Sequence, residues 1–85
     1  TVSREHWYTA VAASIRGGIL AEMGRTAEAE PLLVASYEQL AADDNAVPLY
    51  VGQSLQRLIQ FYASSGDSSA RARFEGIYQR DFGES

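Results

Sequence analysis

The 85-residue chain contains no lysine, no cysteine, one histidine and two prolines, and it has no long apolar run. Without lysine, a phosphate-cradling Gly-Lys-Ser/Thr loop, Schiff-base catalysis and Ser-x-x-Lys acyl transfer are all excluded. Without cysteine there is no disulfide framework and no thiolate metal site. No segment approaches 18 consecutive apolar residues, so none is expected to span a membrane. Seven arginines face eleven acids, for a net charge of −4. That balance argues against a basic face for nucleic acid or anionic lipid.

What is present is ordinary for a folded domain: 46% of residues are hydrophobic. A chain this short buries only roughly 60–65% of the surface its unfolded form exposes, so its stability is expected to be thin. The first residue is Thr1 rather than Met, which leads us to expect a processed or excised product.

Three polar breaks divide the chain: Gly24-Arg25-Thr26, Asp43 to Pro48, and Ser64-Ser65-Gly66-Asp67. Four segments with helical periodicity lie around them. The first, about 3–23, begins at Ser3 as N-cap and carries Trp7, Val11, Ser14 and Gly18 on one stripe, with Ile15 and Ile19 beside them. Gly17-Gly18 inside it costs about 1 kcal/mol per glycine, which points to close approach of a neighbouring backbone; an end to the helix at Gly17 is the alternative. The second, about 27–42, has an apolar face of Ala29, Leu32, Leu33, Ser36, Tyr37, Leu40 and Ala41, with Glu28 and Glu30 at the favourable end of its dipole. Pro31 requires a start no earlier than about Ala27, or a kink. The third, about 48–64, opens on Pro48 and buries Val51, Leu55, Leu58, Ile59, Tyr62 and Ala63. The fourth, about 68–80, is capped by Asp67 or Ser68 and buries Ala70, Phe74, Ile77 and Tyr78. No strand alternation and no hairpin dipeptide appears. The expected class is all-α, four antiparallel helices in one domain spanning 1–85.

The two short turns are related: Gly24 and Gly66 are 42 residues apart. At that step Ala13 overlays Leu55, Leu20 overlays Tyr62, Ala21 overlays Ala63, Leu32 overlays Phe74 and Ala35 overlays Ile77. The chain therefore reads as two helix-turn-helix hairpins, 3–42 and 48–80, which must stack to share a core.

The run Met23-Gly24-Arg25-Thr26-Ala27-Glu28-Ala29-Glu30-Pro31-Leu32-Leu33 resembles the second-helix opening of a tetratricopeptide repeat, and the 42-residue step resembles the kinesin-light-chain type of that family. His6-Trp7, Gly17-Gly18, Ser36-Tyr37-Glu38 and Leu58-Ile59-Gln60-Phe61-Tyr62 extend the likeness over nearly the whole chain, which also resembles C-terminal repeat segments of large bacterial proteins such as serine/threonine kinases. The resemblance implies an α-solenoid fragment. It implies that Gly17 and Ala29 are the small residues at helix crossings, that Leu20 and Tyr62 fill the bulky position, and that Leu33 is a large packing residue. Thr26, Arg16 and Arg71 depart from the pattern, and Arg71 at a small position implies a last helix that is rotated or acts as a polar cap. Two repeats fall short of the three or so needed for stability, so a longer array or a dimer is expected, with apolar ends near Trp7 and Val11 or Phe74 and Tyr78.

No catalytic, cofactor or metal site emerges. His6 lacks a second histidine, and no Gly-x-Ser-x-Gly elbow is present. Glu28 and Glu30 are two apart and do not face each other. Asp43-Asp44-Asn45 lacks the glycine and the twelfth-position glutamate of a calcium loop. Glycines 17, 18 and 24 follow no strand, so they are not a dinucleotide fingerprint. What remains is a surface. The resemblance places the first helix of each hairpin on a concave, partner-binding face. Gln53, Gln56 and Gln60, with Arg57, form its polar stripe, and Ser14, Gly18 and Glu22 its floor. The expectation is a non-catalytic, cytoplasmic module of a larger bacterial regulatory protein. Its partner is a protein or peptide, with no nucleic acid, membrane or cofactor. The alternative is a structural unit that stacks on itself or on neighbouring repeats.

Overall fold

A computed structural model describes the backbone of residues 2–83 and the side chains of residues 7–83. Four α-helices make up the described residues, with no strand: α1 (Val2–Glu22), α2 (Thr26–Ala42), α3 (Pro48–Ser65) and α4 (Ser68–Phe82). The side chains of Ser3 and His6 lie outside the described residues.

The α1–α2 and α3–α4 turns share one design. Each ends its first helix on a glycine in the left-handed region, Gly24 at φ 81° and Gly66 at φ 86°. In each, the amide after the glycine closes back five residues, Arg25 N to Leu20 O at 2.9 Å and Asp67 N to Tyr62 O at 3.1 Å. A Cβ-bearing residue would resist that conformation. The Asp67 carboxylate then caps α4 by accepting from the Ala70 amide at 3.1 Å. Between the hairpins, Asp43 Oδ1 accepts from the Asn45 amide at 2.8 Å, Ala46 turns inward, and Pro48 starts α3.

α2 begins at Thr26, one residue earlier than expected, which leaves Pro31 inside the helix. The carbonyl that Pro31 cannot serve is that of Ala27, and both residues are exposed, so water can take the place of the missing donor.

α1 crosses α2 face to face through small residues. Its buried positions are Trp7, Ala10, Ser14 and Gly17. Gly17 is the point of closest approach: a Cβ there would sit 2.8 Å from Leu33 Cγ and 3.3 Å from the Leu33 amide nitrogen. The helix continues past Gly17 to Glu22. Ile15 and Ile19, expected beside the buried stripe, are instead 45% and 53% exposed. α1 is apolar on two sides, and the side with small residues wins because it lets α2 come close.

The core has two parts. Ala29, Leu33, Leu55, Leu58, Phe61, Tyr62 and Phe74 join all of α2, α3 and α4. Trp7, Ala10, Leu40 and Ala46 close the other end, with Tyr50 against Trp7 at 5.8 Å between ring centroids. Trp7 and Phe74, expected near uncovered ends, are therefore both buried. Ala41 and Ala63, expected on buried stripes, are exposed.

α3 packs on α1, α2 and α4, whereas α4 makes its backbone contacts with α3 alone. The molecule measures 39 × 34 × 14 Å between Cα extremes, a slab rather than a closed bundle. α4 is turned relative to α2. The buried Ala29 and Leu33 correspond by the 42-residue step to Arg71 and Glu75, but α4 buries Phe74 and half-buries Ala70 and Ile77. The burial pattern thus comes one residue early, about 100° around the helix, and Arg71 stays in solvent paired to Glu75 at 3.1 Å.

Candidate functional site

The slab leaves an open groove of about 620 Å³ between α1 and α3. α1 contributes Ile15, Gly18, Ile19 and Glu22; α3 contributes Arg57, Gln60, Phe61 and Ser64; Leu33 of α2 reaches its floor. Gly18 sits where the two helices meet at the groove. With no side chain there, the Arg57 stem lies against α1, and a Cβ on Gly18 would stand 3.5 Å from Arg57 Cδ.

Arg57 is the cationic side chain of the groove. It is half-buried, and its Nη1 donates to Ser14 Oγ at 3.0 Å. Among the described residues no carboxylate lies within ion-pairing distance of it, unlike Arg25, Arg71 and Arg80, which pair with Glu28, Glu75 and Asp81. A guanidinium carries five N–H donors, so most of this one's hydrogen-bonding capacity is left for a ligand or for water. Ile15, Ile19 and the largely buried Phe61 also line the groove, and Glu22 adds the opposite charge.

The seven residues placed on the partner face from sequence take different places, with Gly18 in the groove lining. Glu22, Arg57 and Gln60 line the groove. Ser14 has no exposed surface and serves from below as the hydrogen-bond acceptor that holds Arg57. Gln56 is exposed but turned to α4, its Nε2 donating to Tyr78 Oη at 2.9 Å. Gln53 is half-buried on the same side of α3 and is not among the groove residues. The apolar wall is not evident from spacing, because Ile15 and Ile19 read as flanking the buried stripe. The signal was in the sequence: Gly17 and Ile15 cannot both face α2, since residues two apart lie on different faces of a helix.

A second polar link joins α3 to the first hairpin outside the groove lining. Tyr62 Oη donates to Glu30 Oε2 at 2.8 Å and ties α3 to α2. Burial, together with that hydrogen bond to a carboxylate, pushes the Tyr62 phenol up to about 12. In the sequence Glu30 reads only as a helix-start residue.

Among the described residues there is no group of three His, Asp or Glu side chains that could hold a metal ion, and no helix is long and apolar enough to cross a membrane. No protein-family model, no curated protein and no solved structure matches the chain.

Proposed function

We propose that the chain is a non-catalytic protein-interaction module of the tetratricopeptide kind, a two-hairpin piece of an α-solenoid belonging to a larger regulatory protein. Its groove between α1 and α3 receives an extended peptide or a partner helix. The observation that carries this reading is the half-buried Arg57, held by Ser14 and with no carboxylate among the described residues in ion-pairing range, in an open groove lined by Ile15, Ile19 and Phe61. Apolar wells beside one oriented polar group are what peptide-recognition grooves provide. The slab shape, the paired turns and the stacking of α3 on both helices of the first hairpin support the repeat reading.

Selection of a displayed peptide library on the folded chain tests it. Enriched peptides should lose affinity about tenfold with Arg57→Ala, the cost of one charged hydrogen-bonding group, and less with Gln60→Ala. Gln56→Ala, which alters the side facing α4, should leave affinity within twofold. Binders indifferent to Arg57→Ala and Gln60→Ala, in variants that keep their helical circular dichroism, would place recognition elsewhere.

A further inference from the structure

The groove holds two opposite charges that do not meet. Arg57 stands on its α3 wall and Glu22 on its α1 wall. Among the described residues neither belongs to an ion pair.

The register of the two helices keeps them apart. Trp7 packs on Tyr50, and Ser14 accepts from Arg57, each 43 residues further on. α1 and α3 therefore run parallel, with Arg57 level with Ser14 and Ile15. Glu22 comes level with Ser64 and Ser65, two uncharged residues of the groove lining. A rise of roughly 10–12 Å, seven or eight helical residues, separates the two charges along the groove.

Between the charges the two walls differ. The α1 wall offers Ile19, 53% exposed, beside Gly18. The α3 wall offers the exposed amide of Gln60. A side-chain amide both donates and accepts, as a peptide group does. A partner helix keeps its main-chain groups bonded within itself, whereas an extended segment leaves them free for Gln60. In an extended segment successive side chains point to opposite sides, about 3.3 Å apart along the chain. Two side chains three residues apart thus point to opposite walls with about 10 Å between them, which matches the placement of Arg57 and Glu22.

We infer that the groove selects an extended segment carrying an acidic and a basic residue three apart, with an apolar residue next to the acid on the side of the base. The acid meets Arg57, the apolar side chain lies against Ile19, and the base meets Glu22. This rests on the reading of the groove as a peptide site and adds the chemistry of the peptide. A partner with acids alone would set one of them against Glu22, and two charges two or four residues apart would both point to one wall.

The test titrates alanine-based peptides, capped at both ends, into the chain while its amide shifts are followed. Each peptide carries one glutamate, a neighbouring leucine, and one lysine two, three, four or seven residues from the glutamate, in both orders. The better order at a separation of three should bind tightest and shift Gly18, Glu22 and Gln60. Glutamine in place of its glutamate should cost about tenfold in affinity, and glutamine in place of its lysine about threefold. Glu22→Arg, a change at an exposed position, should keep its helical circular dichroism and now favour the peptide with a second glutamate in place of lysine. Equal affinity at separations of two, three and four, tightest binding at the helical separation of seven, indifference to the lysine, or a Glu22→Arg chain that still prefers lysine would each overturn the inference and leave the groove reading standing. Peptides that shift no groove residue would overturn it as well; the groove reading falls with it only if library binders also ignore Arg57→Ala and Gln60→Ala.

Discussion

Two adjacent glycines show how much depends on a single methyl group. Gly17 and Gly18 carry the same helix penalty, yet only Gly17 faces another backbone. Gly17→Ala gains about 1 kcal/mol of helix propensity but forces a methyl into the buried Leu33 at 2.8 Å, an overpacking that costs roughly 1–3 kcal/mol. Gly18→Ala makes ordinary contact with Arg57 at 3.5 Å. Urea titration should therefore show Gly18→Ala stabilised and Gly17→Ala destabilised; equal shifts for the two would contradict the packing described. Tyr62 gives a second residue-scale prediction. Its phenol ionises near 10 when unfolded and at about 12 when folded. The folded state favours the protonated form, so its contribution is intact below pH 10 and falls as pH rises from 10 through 12. A shift of this size corresponds to a few kcal/mol. Melting curves across that range should fall steeply for the wild type and less steeply for Tyr62→Phe, which cannot ionise; equal slopes would show that the coupling to Glu30 and the burial of the phenol do not matter.

At the scale of elements, α4 is the least supported helix. It packs its backbone on α3 alone, and its rotated setting leaves Arg71 and Glu75 outside. Its local signals should therefore count for more. Asp67→Ala removes the cap on the Ala70 amide and should cost about 1 kcal/mol. Gly76→Ala, at a position with open space around it, should restore about as much. Thermal melts of both variants check this, and a neutral Asp67→Ala would mean that α4 needs no cap. The elements themselves were legible in the sequence, because Gly24, Gly66, Pro48 and Asp67 act locally through backbone geometry and capping. The facing of α1 was not. Ile15 and Ile19 carry more hydrophobicity than Ala10 and Gly17, and periodicity weighs apolar bulk, whereas a close helix crossing selects for its absence. The site was half legible for a related reason. A polar stripe on α3 can be read from spacing, but whether Gln56 turns to Tyr78 or Arg57 to Ser14 depends on partners 22 and 43 residues away.

For the whole molecule, one hairpin against another makes a slab 14 Å thick between its outermost Cα atoms. A slab has two broad faces and little interior, so surface features dominate: one groove with an unpaired cation, and one apolar face along α1. Both follow from α1, whose small-residue side packs and whose bulky side does not. We propose the groove between α1 and α3 as the recognition site. It is tested most directly by mapping amide chemical shifts of the 85-residue chain as a selected peptide is added at a concentration where the chain is monomeric. The largest shifts should fall at Gly18, Glu22, Arg57, Gln60 and Ser64, along both walls. Shifts centred instead on Gln53, Gln56 and Tyr78, or on the loop at 43–47, would contradict it.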